Sequence, residues 1–384
     1  MNRNRIRVLS VLGTRPEAVK LAPVIKALQS HSEIESSICI TAQHREMLDQ
    51  VLQVFDIHPD FDLNLMRPDQ TLAELTATLF THLDPILVEK KPDWVFVQGD
   101  TTTVMAAAVN AFYRQIKVGH VEAGLRTFDK WQPFPEEINR RIAGTVADLH
   151  FAPTTLNKAN LIKEGVPEEK IIITGNPVID AVRWISAQPV PEEITTLLRG
   201  LDVGSGKSNR LVLITAHRRE NFGHPLEQIC TAINHLADEY GGKVRFVYPV
   251  HLNPNVQQPV YRMLRQNSNI TLLPPLDYLP LVHLMRNSTL VLTDSGGIQE
   301  EAPGFGIPTL VLRDVTERPE GVDAGVLQLV GTDTERIIKT VHSLLDDPEA
   351  YQKMAIAVNP FGDGHAADRI IQALIDYEKQ HPKK

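Results

Sequence analysis

Short runs of apolar β-formers alternate with helix-patterned segments along almost the whole chain, and this alternation restricts the fold more than any other feature. Residues 6–12 read as a strand, 17–29 as a helix, 36–41 as a strand and 45–55 as a helix with apolar spacing near 3.6. A long helical stretch follows over 71–90, with a kink expected at Pro85. Strand 94–98, helix 103–114, strand 117–122, helix 135–147 and strands near 149–152 and 170–174 continue the series. Between 186 and 209 the pattern lapses into Pro, Gly and Ser with one weak helix, which marks the expected domain junction. The alternation then restarts with strand 210–216, helix 226–239, strands 244–250 and 270–273, and helix 279–286. Strand 289–293, helix 297–305, strand 308–312 and helices 334–345 and 366–379 complete it. Such order predicts parallel sheets covered by helices on both faces. The expected fold class is α/β, as two doubly wound domains with an interdomain cleft.

Length and composition narrow the function. At 384 residues the chain exceeds one ordinary core, so two domains are expected. A net charge of -8 argues against broad nucleic-acid binding, which draws its affinity from Lys and Arg on phosphates. Cys39 and Cys230 are isolated among apolar neighbours, as buried filler in a reducing compartment. No apolar run approaches the roughly 20 residues of a spanning helix. The N-terminus enters a strand at once and leaves no room for a signal peptide. The expectation is a cytoplasmic protein with no membrane partner.

Three polar clusters follow strand-like runs directly: Gly13-Thr14-Arg15-Pro16-Glu17, Gln98-Gly99-Asp100-Thr101 and Asp294-Ser295-Gly296-Gly297. Ligands of open α/β sheets bind at the carboxyl ends of strands. In the first cluster Gly13 permits a tight turn, Pro16 suits the first helical position, and Arg15 stands where a phosphate would meet a helix N-terminus. A turn with a solvated Arg is the bland alternative. The cluster is not Gly-x-Gly-x-x-Gly, so ordinary dinucleotide binding gains no support. In the third cluster two glycines free the backbone for close approach, and the following helix start suits a diphosphate. Simple N-capping by Asp294 or Ser295 would leave the Gly pair unexplained. Glu301, one turn in, is placed to reach ribose hydroxyls. Gly204-Ser205-Gly206-Lys207-Ser208 imitates a phosphate loop, but Leu201 occupies the first Gly position and the segment precedes a strand, so it reads as a linker.

Acidic residues gather at other strand ends. Asp100 and Glu122 each close a strand, and Glu136-Glu137 opens a helix. Capping and dipole compensation are the bland readings of Asp100 and the Glu pair. Glu122 lies between Val121 and Ala123, where an unpaired carboxylate would be costly. Three carboxylates at one cleft are expected to raise one another's pKa values, which suits acid/base work. His217-Arg218-Arg219 follows another strand and reads as chemistry on a leaving phosphate, or as a capping loop with exposed arginines. His44, His217 and His251 lack partners at metal-ligand spacing, so no metal is expected.

Taken together, GTRPEAVKLAP, TAQHREMLDQVL, QGDTTT, VGHVEAGLRT, PFPEEINRR, TAHRRENFG, YPVHLNP, LTDSGGIQEEAP and RDVTERPEGVDAG resemble the non-hydrolysing bacterial UDP-N-acetylglucosamine 2-epimerases. The matches run in order from Gly13 to Gly325, and NPFGDGHAADRI extends them to the last helix. The resemblance implies a GT-B type fold of two Rossmann-like domains. It places an N-terminal domain with the catalytic carboxylates and a dimer interface at 1–185, a UDP-binding domain at 186–358, and a helix crossing back to the first domain at 359–384.

The implied reaction interconverts UDP-GlcNAc and UDP-ManNAc, supplying precursors of bacterial surface polysaccharides. UDP is eliminated across C1–C2 to give 2-acetamidoglucal and is then added back with C2 protonated from the other face. No cofactor and no metal is implied; the partners are the two nucleotide sugars and UDP, and the assembly a homodimer. Carried over by motif, Asp100, Glu122 and Glu136 are the acid/base carboxylates, with Glu136 preferred to Glu137, and His217 serves the leaving diphosphate. Arg15, Lys20, Ser295, Gly296, Gly297, Glu301 and Arg318 are implied substrate contacts. Leu281 replaces a Phe that relatives often carry near the uracil. Gln43 and His251 match an activator subsite of some members, but Glu46 and Asp69 replace its Gln and Arg. Two acids beside a diphosphate repel it, so weak or absent activation is expected. An epimerase of a related diacetamido sugar, a hydrolysing epimerase, a glycosyltransferase of this fold and a non-catalytic UDP-sugar binder remain the alternatives.

Overall fold

A computed structural model describes residues 5–41, 45–67, 69–204 and 209–382, with main chain only at 46 and 47. Gln43, His44, the Glu46 side chain and residues 205–208 of the linker therefore lie outside the described residues. The chain divides into two compact units, one of residues 1–181 with 361–384 and the other of residues 182–360.

Unit 1 holds seven parallel strands: β1 (Ile6–Leu12), β2 (Ile34–Ile40), β3 (Phe61–Asp62), β4 (Trp94–Gln98), β5 (Lys117–Val121), β6 (Leu149–Ala152) and β7 (Ile171–Ile173). Their spatial order is β3-β2-β1-β4-β5-β6-β7. The direction of winding reverses between β1 and β4, which is where open sheets of this kind bind ligands. The crossovers carry α1 (Arg15–Ser30), α2 (Arg45–Val54), α3 (Leu72–Lys90), α4 (Thr102–Tyr113), α5 (Glu136–Val146) and α6 (Thr155–Lys163), and α7 (Pro177–Ser186) follows β7. Every residue of β4 is buried, as a central parallel strand covered on both faces requires. One core joins β1 and β4 to the inward faces of α3 and α4 through Leu9, Val11, Val95, Val97, Leu79, Leu83 and the alanines 106–108.

Unit 2 repeats the plan with β8 (Arg210–Thr215), β9 (Val244–Pro249), β10 (Ile270–Leu273), β11 (Leu290–Thr293), β12 (Thr309–Val311) and β13 (Leu327–Leu329). The order is β10-β9-β8-β11-β12-β13, all parallel, and the winding reverses between β8 and β11. Its helices are α8 (Glu192–Gly200), α9 (His224–Tyr240), α10 (Pro254–Leu264), α11 (Tyr278–Arg286), α12 (Gly296–Glu301), α13 (Pro319–Asp323), α14 (Thr334–Asp346) and α15 (Pro348–Ala355). The last helix, α16 (Ala366–Gln380), belongs to unit 1 and packs on α1.

The elements depart from the sequence reading in instructive ways. Helix α1 opens at Arg15, so Pro16 takes the second helical position. Pro85 lies inside α3, which runs on to Lys90 as the reading of 71–90 has it. Helices α6, α7, α10, α13 and α15 were not expected. In α10, Pro254 and Pro259 mask the helical pattern, although Val256, Val260 and Leu264 are buried at spacing 4. Strands β3 and β13 are too short for alternation to register.

Asp180 anchors α16 by accepting from the first N–H groups of that helix, Ala366 at 3.1 Å and Ala367 at 2.9 Å. These N–H groups have no partner within the helix, and the Asp180 carboxylate supplies one. Asp180→Ala is expected to lower stability by about 1–2 kcal/mol, read as an earlier urea midpoint with an unchanged slope.

Candidate active site

In unit 1 the first polar cluster is a fitted turn. A side chain at Gly13 would begin 2.4 Å from Thr41 Oγ1 and 2.6 Å from Thr103 Oγ1, so only glycine passes here. Thr14 and Glu17 form a capping box at the start of α1. Glu17 Oε2 accepts from the N–H of Gly13 at 3.1 Å and of Thr14 at 2.6 Å, while Oε1 accepts from the Thr101 hydroxyl at 2.9 Å. Thr101 in turn caps α4, accepting from Val104 N. One carboxylate therefore bolts the loop after β1 to the loop after β4. Arg15 points outward, exposed, from this fixed turn.

Two of the expected acids flank it. Glu122, at the end of β5, adopts φ 61°, the left-handed region that a Glu rarely occupies. Its Oε1 pairs with Lys20 Nζ and accepts from Asn176 Nδ2 at 2.8 Å, and its Oε2 accepts from Gln98 Nε2. Asp100 accepts from Arg140 Nε at 2.7 Å through its side chain and from Asn139 Nδ2 at 2.9 Å through its carbonyl. Thr101, and not Asp100, is the N-cap of α4. Glu122 and Asp100 thus each sit against a cation, and, nearby, burial raises the Glu17 carboxyl up to about 7. Desolvation outweighs its hydrogen bonds.

The Glu136-Glu137 pair at the start of α5 splits cleanly. Glu137 is buried and fully engaged, accepting from Thr127 N at 3.1 Å, the Thr127 hydroxyl at 3.2 Å, Phe128 N at 3.3 Å and Arg140 NH1 at 3.2 Å. Among the described residues, the buried Oε2 of Glu136 has no hydrogen-bond partner. Behind them, His120 Nε2 meets the Gly99 carbonyl at 2.7 Å, and burial pushes this imidazole down to about 4.

Unit 2 presents a cationic set at the ends of β8 and β11. Asp294 is fully buried and caps nothing on its own helix. Its Oδ2 accepts from His217 N at 2.8 Å, Arg218 N at 2.8 Å and Asn221 Nδ2 at 3.0 Å, which fixes the loop after β8. Ser295 stands at the N-cap of α12 but makes no side-chain cap bond. A side chain on Gly296 would begin 3.6 Å from a guanidinium nitrogen of Arg218 and 3.8 Å from one of Arg318. Both arginines thus reach the same bare turn. Arg318 is aimed by Glu300, which accepts from Nε at 2.5 Å, and by Glu317, which accepts from NH1 at 3.1 Å. Glu301 accepts from Tyr278 OH at 3.3 Å. The His217 ring stacks on that of His251, centroids 5.3 Å apart. Asp69 is exposed.

The structure thus places Lys20, Asp100, Glu122 and Glu136 in unit 1, where Lys20 meets Glu122, and His217, Ser295, Gly296, Gly297, Glu301 and Arg318 in unit 2, where Arg318 reaches the turn at Gly296. Sequence reasoning missed Glu17, Gln98, Arg140, Asn176, Asn221 and Tyr278, which act by holding other residues. Only Glu17 carried a local signal, the Thr-x-x-Glu of a capping box. Among the described residues, no group of three or more His, Cys, Asp or Glu is arranged to hold a metal ion, and no helix is long and apolar enough to cross a membrane.

Glu17 makes a pH-dependent demand on stability. Its folded pKa of about 7 lies above the usual 4.5, so the folded state binds more protons between those values and stability falls as pH rises through that window. The full effect is roughly 3 kcal/mol. Comparing urea unfolding of the wild type and Glu17→Gln at pH 5 and pH 8 should show the variant losing less stability at the higher pH.

The sequence model of the UDP-N-acetylglucosamine 2-epimerase family matches residues 26–375. The chain is 51% identical over 370 residues to the UDP-N-acetylglucosamine 2-epimerase of Escherichia coli K12, covering 96% of this chain and 98% of that protein. A crystal structure of the Neisseria meningitidis UDP-GlcNAc 2-epimerase bound to UDP-GlcNAc superposes with a TM-score of 0.85 at 49% identity, covering 96% of this chain and all of that one. A structure described as a putative UDP-N-acetylglucosamine 2-epimerase from Listeria monocytogenes gives a TM-score of 0.91 at 47% identity, over 98% and 97% of the two chains. A Rickettsia africae glycosyltransferase, 13% identical with a TM-score of 0.62, shares the fold.

Proposed function

The chain belongs to the UDP-N-acetylglucosamine 2-epimerase family and is an isomerase of that class; we propose that it interconverts UDP-GlcNAc and UDP-ManNAc by eliminating and re-adding UDP. The hydrogen at C2 is not next to a carbonyl, so its removal needs a good leaving group on C1. As UDP departs, the C1–O bond breaks, a carboxylate takes the C2 proton, and a C1=C2 double bond forms in 2-acetamidoglucal. Return of the diphosphate to C1, with a proton delivered to the opposite face of C2, gives the epimer.

Each step has a residue suited to it. Glu122, Asp100 and Glu136 supply proton acceptors and donors on unit 1, and general acid–base transfer of this kind contributes about 10²–10⁴-fold. His217, Arg218, Arg318 and the bare turn at Gly296-Gly297 supply positive charge and N–H donors for a diphosphate whose charge grows as it leaves. Glu301 is assigned to the ribose hydroxyls, and Arg15 and Lys20 to the substrate. The observation that carries the reading is a buried Glu136 oxygen that has no hydrogen-bond partner among the described residues, on the same helix whose Arg140 holds Asp100. A purely structural acid at that position would resemble Glu137, with all its bonds made.

Incubation with UDP-GlcNAc in deuterated buffer, followed by NMR, tests the reaction. UDP-ManNAc carrying deuterium at C2 is the expected product; free ManNAc with UDP would indicate a hydrolysing enzyme, and unlabelled substrate would sink the proposal. The two neighbouring glutamates give a sharper test of assignment. Glu136→Gln should lower kcat about 10²-fold or more with a normal melting temperature, whereas Glu137→Gln should chiefly lower the melting temperature.

A further inference from the structure

Glu122 is held by donors from three separate elements: Lys20 on α1, Gln98 at the end of β4 and Asn176 in the turn between β7 and α7. Both amides are almost completely buried. The orientation of Asn176 is fixed on its other sides. Its backbone N–H donates to the Phe361 carbonyl at 2.6 Å, and its Oδ1 accepts from Val178 N at 3.1 Å. With the oxygen end committed to α7, only the NH₂ end is left to face Glu122. A flipped amide would set oxygen against a carboxylate and leave the Val178 N–H without its acceptor.

Donors to the charged form of an acid favour that form. We propose that Gln98 and Asn176 are positioning residues whose amide donors keep Glu122 ionised in the resting enzyme, so that it enters the reaction as proton acceptor. This rests on the reading of Glu122 as a catalytic carboxylate. Lys20 on α1 pairs with it, and Asp100 lies beyond Gly99, whose Cβ position would stand 3.7 Å from Glu122 Oε2; His120 on β5 feels the charges of Asp100, Glu122 and Arg126, and Glu17, one turn before Lys20 on α1, reaches Thr101 beside Asp100. His120 is held neutral at working pH by burial, and Lys20 makes a direct ionic contact with Glu122. Amides do not titrate, so they bias the carboxylate without adding a pH dependence of their own. The strand-end geometry also needs them. In the left-handed conformation of Glu122, contacts from both flanking loops fix where its oxygens point.

The test is the pH profile of kcat for Asn176→Ala and Gln98→Leu with UDP-GlcNAc. A hydrogen bond to a charged group corresponds to about one pH unit. The acid limb should therefore move upward by about one unit in each variant, with turnover below the limb reduced about tenfold and KM nearly unchanged. A limb at the wild-type pH in both variants overturns the proposal, even if the rate falls uniformly, because a merely structural role would do that. Should Asn176→Ala unfold, Gln98→Leu leaves the Asn176 links to α7 and Phe361 intact and carries the test. Glu122→Gln addresses the underlying reading separately. Near-normal turnover there removes Glu122 from the reaction, whereas an inactive Glu122→Gln with unmoved limbs in the amide variants overturns the positioning role alone.

Discussion

A carboxylate taken out of water must be met by donors, and the loops of this protein are arranged around that requirement. Glu17 gathers two backbone N–H groups and a hydroxyl, Asp294 two backbone N–H groups and an amide, Glu137 two backbone N–H groups, a hydroxyl and a guanidinium. Asp294 stands just beyond the end of β11, and Glu17 and Glu137 in the first turns of α1 and α5, and each ties down a loop. The strand-end turns, which would otherwise be the loosest parts of an α/β sheet, become fixed points. Chemistry that depends on placing charge within a few tenths of an ångström needs such a frame.

The two units use the device for different ends. In unit 1 it leaves acids beside cations: Glu122 beside Lys20, Asp100 beside Arg140, and Glu136 with an oxygen to spare. In unit 2 it sets the buried acids Asp294 and Glu300 against a loop and a cation. Asp294 fixes the His217-Arg218 loop from below, and Glu300 aims Arg318. On the function proposed above, proton transfer draws on the first arrangement and diphosphate binding on the second. Preorganised charge of this kind needs little reorganisation when the leaving group develops its own.

Similar economy governs the glycines that matter. Gly13 lies against two threonine hydroxyls, where a Cβ would collide, and Gly296 leaves room for two guanidinium groups to approach one turn. Neither is needed for a left-handed turn. Their value is the absence of a side chain where other groups must come close.

By itself the sequence determined the parallel α/β architecture, the strand ends that carry polar clusters, and the family to which the motifs belong. Each is written in local periodicity or in contiguous residues, so neighbouring positions suffice to read it. The tertiary structure decided which of two adjacent glutamates is committed and which is free, that Asp294 serves a loop 77 residues away, and that Asn176 and Gln98 converge on Glu122. It also decided the helices over 155–163 and 254–264, where a weak pattern or internal prolines hide the period. These features depend on which strands lie side by side, and a one-dimensional pattern does not encode that adjacency until the sheet has formed.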